Sequence, residues 1–224
     1  MIVAMHRACT LRRVLFCSSC WIAATAGADW HPAAEGWTLI GHDNSVELYR
    51  RAVDHSNTPA VAGHTRLRAP LMDVYGIVSD YDQFSRFIPR VAESRVLARD
   101  GRRTWVYQRL GLPLVFADRH YVIEVLDDMH ALARGEVRIS WKLDRARSAS
   151  LPSGEAVLPQ AFSGGWRLAA VSGSPSTDAV YSIQVDAGGR LPGWLVRRTS
   201  ERYVIQVIDA VSKRLARQNA RARH

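Results

Sequence analysis

Cysteine is nearly absent from this chain of 224 residues. The chain contains three cysteines, Cys9, Cys17 and Cys20, and all of them lie close to the amino terminus. The rest of the chain can form neither an internal disulfide nor a metal site with thiolate ligands. The sequence also lacks His-Glu-x-x-His, Gly-x-Ser-x-Gly and P-loop patterns. We therefore expect no metal, no cofactor and no familiar catalytic constellation.

A hydrophobic run long enough to span a bilayer is missing as well, since spanning takes about 20 apolar residues. The run from Val14 to Ala24 is shorter and follows Arg12 and Arg13. Ala26-Gly-Ala28 then forms a small-x-small cleavage pattern. These features predict a signal peptide over residues 1–28 and an exported protein, periplasmic or secreted. An uncleaved membrane anchor is the alternative.

Positive charge is in excess, with 30 Lys and Arg against 21 Asp and Glu and a formal net charge of +9. The predicted signal peptide contains three arginines and no acidic residue, so its removal leaves a basic protein. The following basic residues lie near the carboxyl end: Arg197, Arg198, Arg202, Lys213, Arg214, Arg217, Arg221 and Arg223. They indicate either a solvated polar face or a transient contact with an anionic membrane surface. We expect no nucleic-acid partner for an exported protein.

Hydrophobic periodicity predicts a mixed architecture. Alternation predicts eight strands, at residues 46–51, 60–67, 91–98, 104–110, 118–126, 135–143, 162–171 and 181–186. Helical spacing follows Pro70 and recurs after Trp194, ending near Leu215. Residues 29–41 are interpreted as a lead-in, either a short helix or irregular, and residues 145–160 as a long loop. The predicted order is β-β-α-β-β-β-β-β-β-α, an antiparallel meander with helices on one side.

The segment before the last helix carries a family resemblance. Val185-Asp-Ala-Gly-Gly-Arg-Leu-Pro-Gly-Trp194 resembles the V-D-P-G-G-x-[IL]-P-x-W junction of START domains, lipid-binding members of the helix-grip group. Asp80-Tyr-Asp-Gln-Phe-Ser-Arg-Phe-Ile-Pro89 is similar to a second family segment, which polyketide cyclases share. The resemblance covers about residues 36 to 216. One departure is His120, which follows Arg119 where the family usually has Asp, so an ion pair made through that Asp is not expected here.

The resemblance implies an α+β helix-grip fold, in which a curved antiparallel β-sheet wraps around a long C-terminal α-helix. It implies a START-like domain over residues 29–218, followed by a basic tail at 219–224. It also implies a monomer that binds a lipid or sterol-like molecule between sheet and helix, for lipid transport or sensing. Composition alone does not distinguish such a cavity from a filled core.

Ten residues are candidates for lining that cavity: Trp105, Tyr107, Arg109, His120, Trp141, Trp166, Tyr181, Ile183, Tyr203 and Val207. Most are large apolar residues at alternating strand positions. Arg109 and His120 would be polar anchors for the ligand, because a buried guanidinium needs a polar partner. The alternatives are an arginine that reaches water at a strand end and a hydrogen-bonded structural histidine.

Two other functions remain open from the sequence. The first is a polyketide cyclase or aromatase-like enzyme on the same fold, with Tyr107, Arg109 or His120 as acid–base groups. The second is a domain whose interior is filled and whose surface binds another protein.

Overall fold

A computed structural model describes residues 30, 32–54, 56, 58–112, 116–152, 154–188 and 193–221. The strands are β1 (Thr38–Asp43), β2 (Val46–Arg51), β3 (Ala60–Leu67), β4 (Val91–Asp100), β5 (Arg103–Leu110), β6 (Arg119–Asp128), β7 (Glu136–Leu143), β8 (Ala161–Ala170) and β9 (Thr177–Asp186). The helices are α1 (Leu71–Val78), α2 (Arg145–Ala149) and α3 (Gly193–Arg221), with short 3₁₀ turns at Ala33–Glu35, Tyr81–Arg86 and Leu132–Arg134.

All nine strands form one sheet in the order β1-β2-β3-β9-β8-β7-β6-β5-β4. Every neighbouring pair is antiparallel. The chain leaves β3 through α1 and the 3₁₀ turn at Tyr81–Arg86, starts again at the far edge with β4, and returns strand by strand to pair β9 with β3. The helices α1 and α3 share one face of the sheet, and their contact with it builds the main core.

The helix α3 lies very close to the sheet where it crosses β3. A Cβ atom placed on Gly63 would be 2.6 Å from Ile208 Cδ1 and 2.7 Å from Val204 Cγ1. Real side chains do not approach so closely, so the absence of a side chain at this position sets the helix-to-sheet distance. The buried positions Val204, Ile208 and Val211 follow the helical spacing that the sequence shows.

The structure confirms the α+β helix-grip fold and most predicted elements. The turn between β4 and β5 contains Gly101 at a φ of 55°, a conformation that glycine adopts without strain. Some details differ, and the strand predicted at residues 181–186 begins at Thr177. The predicted lead-in at residues 29–41 contains part of a strand, β1. Exposed and half-buried residues do not alternate along this strand, so no strand pattern predicts it. The predicted loop at 145–160 begins with α2, and α3 extends to Arg221 rather than ending near Leu215.

The predicted signal peptide at residues 1–28 lies outside the described residues, as do positions 189–192 of the junction motif. Among the helices of the described ranges, none is both long enough and apolar enough to cross a membrane.

Candidate ligand-binding site

A cavity lies between the sheet and the first half of α3. Its volume is about 170 Å³. The sheet contributes Tyr121, Phe162, Ile183 and Val185 among other side chains, and α3 closes the cavity with Leu195, Val196, Thr199, Ser200 and Tyr203. Apolar cavities of about 150 Å³ can bind a small aromatic molecule. The site can therefore hold a small apolar group without rearrangement.

Arg119 is the most buried cation on this cavity, with 6% of its surface exposed. Its Nε donates to the carbonyl oxygen of Ala187 at 2.7 Å, and its Nη2 donates to that of Gly188 at 3.2 Å. Nη1 donates to the carbonyl oxygen of Ala117. Burial lowers the pKa of the guanidinium from its ordinary value. The side chain thus ties β6 to the backbone that leads into α3.

A smaller cavity of about 40 Å³ lies further along α3, toward α1. Phe162 and Tyr203 line both cavities. Along α3 the lining passes from Thr199 to Tyr203 and then to Val207, at intervals of four residues that place the three on one face of the helix. The two cavities are therefore successive compartments of one interface.

Aromatic side chains occupy the sheet side of this interface. The rings of Trp166 and Tyr181 lie 4.6 Å apart between centroids, and those of Trp141 and Tyr181 lie 5.9 Å apart. The indole of Trp141 lies against Gly164, where a Cβ would be 2.7 Å from Trp141 Cζ2. The interior is thus partly filled by the protein's own aromatic residues, which lie beside the two cavities.

Polar groups are also present in the interior. The hydroxyl of Tyr121 donates to Gln108 Oε1 at 3.1 Å, and Gln108 Nε2 donates to Ser94 Oγ at 3.3 Å. Burial raises the pKa of Tyr121 well above the ordinary value for a phenol, and it does the same for Tyr181. These hydroxyls are neutral hydrogen-bonding groups near pH 7. The Tyr121 hydroxyl is thus a donor to Gln108 and not a base.

Six of the ten predicted residues line one of the two cavities. They are Trp141, Trp166, Tyr181, Ile183, Tyr203 and Val207. Contact of any of them with a ligand stays a prediction.

The other four candidates line neither cavity, which corrects the prediction of where they lie. Trp105 and Tyr107 belong to a separate buried cluster with Val122. On β5 the side chains of Val106 and Gln108 face α3, so the odd-numbered positions lie on the opposite face of the sheet. That face is buried too, because the chain after β7 covers this part of the sheet.

Arg109 and His120 also lie on that opposite face, paired across β5 and β6. Arg109 is exposed and bonds Asp118, with Nε 2.8 Å from Oδ2. His120 is buried, and burial together with the charge of Arg109 lowers its pKa. The exposed Arg109 fits the alternative of an arginine that reaches water at a strand end. His120 Nδ1 has no hydrogen-bond partner among the described residues, so the alternative of a hydrogen-bonded structural histidine stays a prediction.

Sequence reasoning missed Arg119, Tyr121 and Phe162 as lining residues. Strand alternation contains the signal for two of them, because Tyr121 shares a face with buried Ile123 and Val125, and Phe162 shares one with Trp166. The described part of the chain contains no group of His, Cys, Asp or Glu side chains arranged to hold a metal ion.

A family model described as polyketide cyclase / dehydrase and lipid transport matches residues 67–212. The chain belongs to this family. The match begins at the end of β3 and includes every element that lines the two cavities. Both lipid transport proteins and cyclases belong to this polyketide cyclase and lipid transport family, so membership supports a site for a hydrophobic ligand without choosing between the two.

Individual comparisons agree with this assignment. An uncharacterized protein of Pseudomonas aeruginosa is 27% identical over 173 residues, which cover 77% of this chain and 83% of the relative. A STAR-related lipid transfer protein from Xanthomonas axonopodis has a similar fold, with a TM-score of 0.71 and 23% identity over 81% of this chain and 99% of that one. The Zhui aromatase/cyclase of a Streptomyces species has a TM-score of 0.55 and 16% identity, over 71% of this chain and 94% of that one. At these identities the two structures show the fold alone.

Proposed function

We propose that this protein binds one lipid or sterol-like molecule between its sheet and α3, for transport or sensing. The observation that carries the proposal is the cavity of about 170 Å³ between the sheet and the first half of α3, which is lined mainly by apolar side chains. The name of the Xanthomonas structure, a lipid transfer protein, supports the same class of ligand.

The cavity is too small to hold a whole lipid without a rearrangement of the protein. Sites for molecules of drug size measure about 300 to 1,000 Å³, which is larger than the present cavity. A whole lipid therefore requires the two compartments to join or α3 to move away from the sheet. The natural place for this movement is the first half of α3, where Val196, Thr199 and Ser200 are only half-buried.

Two measurements on the purified protein test the proposal. We expect native mass spectrometry to show a bound apolar molecule, or a panel of lipids to bind with one-to-one stoichiometry. Absence of any co-purified lipid together with absence of binding across the panel would contradict it.

The proposal includes contact between the start of α3 and an anionic membrane surface. Trp194, in the first turn, is 60% exposed, and Arg197 and Arg198 are exposed beside it. Indole rings favour the membrane interface, and basic residues are attracted to anionic lipids. We expect flotation with vesicles rich in phosphatidylserine but not with phosphatidylcholine vesicles, and loss of flotation in Trp194→Ala. Equal flotation with both vesicle types would contradict the electrostatic part.

The second candidate is a cyclase, which the name of the Streptomyces structure suggests. Tyr107, Arg109 and His120, the acid–base groups that the sequence offers for such an enzyme, line neither cavity. This observation favours a binding protein. His120→Ala distinguishes the two, because a carrier keeps its affinity for an apolar ligand whereas an enzyme that uses this histidine loses turnover by orders of magnitude.

Export and a monomeric state are also part of the proposal. The run of apolar residues after Arg13 and the small-x-small pattern at Ala26 support a cleaved signal peptide. Amino-terminal sequencing of the protein recovered from its native host, and light scattering of the purified protein, test these two statements. A recovered protein that begins at Met1, or a stable dimer, would contradict them.

A further inference from the structure

The smaller cavity has two hydrogen-bond donors on its wall that are buried and lack a partner within the described part of the chain. They are the hydroxyl of Tyr81 and the indole Nε1 of Trp141. Tyr81 is 3% exposed, so water outside the protein does not reach it. Several other residues on this wall, such as Val78, Ile88 and Val91, are apolar. Two residues with unpartnered donors thus belong to a largely apolar wall.

An unpaired donor in such a place is costly. Leaving a buried polar group unsatisfied costs about 1 to 3 kcal/mol, and few native groups are left so. A partner that enters the cavity would remove this cost. Unpaired buried donors in a binding site therefore favour ligands that bring an acceptor.

The protonation state of Tyr81 makes it a donor. Burial, and then the negative charge of Asp127, raise the pKa of its phenol far above the ordinary value. Asp127 Oδ2 accepts the hydroxyl of Tyr75 at 3.1 Å, and Asp127 Oδ1 is buried without a partner within the described residues. Trp141 Nε1 can only donate. Both groups therefore select for an acceptor.

The position of this cavity relative to the larger one defines the shape of the ligand. Phe162 and Tyr203 stand between the two compartments, and Val196 and Thr199 lie on the other side of that boundary. A molecule that occupies both would place its leading end beside Tyr81 and Trp141. Its body would lie among the apolar side chains of the larger cavity.

We propose that the smaller cavity is a subsite for an oxygen acceptor, a carbonyl, ether or hydroxyl oxygen, at the leading end of an otherwise apolar ligand. Tyr81 Oη and Trp141 Nε1 would donate to it. The inference rests on the proposed function, because it assigns the chemistry of one end of the same ligand.

A matched pair of probes tests it. Heptyl methyl ketone carries one acceptor oxygen. The matched hydrocarbon has a =CH₂ group in place of that oxygen and nearly the same shape. The full chain is incubated with an equimolar mixture, separated from free probe and extracted, and the two compounds are quantified by gas chromatography. A net hydrogen bond of about 0.5 to 1.5 kcal/mol corresponds to about a twofold to tenfold preference for the ketone. In Tyr81→Phe and Trp141→Phe this preference should fall, mainly through weaker binding of the ketone.

Control variants are available on the opposite face of the sheet. Tyr107→Phe and Trp105→Phe make the same chemical changes at residues that line neither cavity, and both should keep the wild-type preference. Thermal unfolding adds a second readout. Removing an unpaired hydroxyl leaves the melting temperature of Tyr81→Phe equal to or above that of the wild type.

The following outcomes would overturn the proposed subsite. Equal binding of ketone and hydrocarbon to the wild type would overturn the subsite and leave the proposed function standing. A lower melting temperature in Tyr81→Phe with an unchanged ketone preference would overturn it too, because the hydroxyl then serves a trapped water. Failure of both probes to bind the wild type would also overturn the subsite, and it would overturn the proposed function only together with absence of binding across the lipid panel.

Discussion

Phe162 on β8 and Tyr203 on α3 together form the boundary between two compartments of one interior space. Both side chains line the cavity of about 170 Å³ and the cavity of about 40 Å³. One comes from the sheet and the other from the helix that covers it. The length of ligand that the protein accepts therefore depends on these two rings.

Shortening Tyr203 should join the compartments. We expect Tyr203→Ala to bind longer apolar ligands more tightly than the wild type, measured with a series of alkyl methyl ketones of increasing chain length. The same variant should lose about 3 kcal/mol of unfolding free energy, as for other large-to-small changes in a core. Tyr203→Phe keeps the ring and is the control. A chain-length profile identical in all three proteins would show that Tyr203 is not a boundary.

The close approach of α3 to β3 should make Gly63 intolerant of a side chain. In Gly63→Ala the new methyl would lie within 3 Å of Ile208 and Val204, and Val204 is stiff because it is β-branched. We expect a loss of about 1 to 3 kcal/mol in unfolding free energy by denaturant titration. Gly41→Ala is the matched control, because nothing lies within 4 Å of a Cβ at that strand position. Equal stability of the two variants would mean that α3 is not held at this distance.

Loss of Arg119 should loosen the entry into α3. Replacing it by Gln removes charged hydrogen bonds to Ala187 and Gly188, each of which contributes about 1.5 to 3 kcal/mol. We expect faster amide hydrogen exchange at Gly188 and in the first turns of α3. Arg109→Gln, a change of an exposed arginine on the opposite face, should leave exchange in this region unchanged. Equal exchange in both variants would argue against Arg119 as the anchor.

The face of the sheet that is turned away from α3 contains a pH-sensitive group. His64 lies between two carboxylates, with Nδ1 3.0 Å from Glu47 Oε2 and Nε2 3.0 Å from Asp178 Oδ1. Burial alone lowers the pKa of His64, but its hydrogen bonds to Asp178 and Glu47 outweigh burial, and the pKa is raised above its ordinary value of 6.5. The charged imidazolium is therefore the form that stabilises the fold.

The sign of the pH dependence follows from that shift. A raised pKa in the folded state contributes stability that is fully present below 6.5 and is lost as the pH rises through the folded-state value. We expect His64→Gln to flatten the fall in melting temperature with rising pH on the alkaline side of 6.5. His130→Gln, at an exposed position, should keep the wild-type slope. A slope that is steeper in His64→Gln than in the wild type would contradict the assignment.

Sequence reasoning succeeded where one face of an element is buried and the other is solvated. On β7 the alternation of Val137, Ile139 and Trp141 with Arg138 and Ser140 predicts the inward face correctly. It failed on β5, where Trp105 and Tyr107 are buried but lie on the face away from α3. Alternation shows which residues share a face and not which face it is, and here the chain after β7 buries the second face as well.

The cavity itself could not be derived from composition. Trp141, Trp166 and Tyr181 would be equally apolar in a filled core, and only their packing leaves space beside them. The small β1 was missed for a related reason. Its residues are half-exposed or exposed throughout, so it has no hydrophobic pattern to detect.

Filling the larger cavity tests the central claim most directly. Thr199 lines this cavity from α3, whereas Ser212 is exposed on the same helix and lines neither cavity. The dissociation constant of a fluorescent apolar probe is measured for the wild type, Thr199→Phe and Ser212→Phe, with circular dichroism to confirm that each is folded. If the probe binds between the sheet and α3, Thr199→Phe should lose affinity for it by at least about tenfold. Ser212→Phe should keep the wild-type affinity. A folded Thr199→Phe that binds the probe as tightly as the wild type would contradict the account.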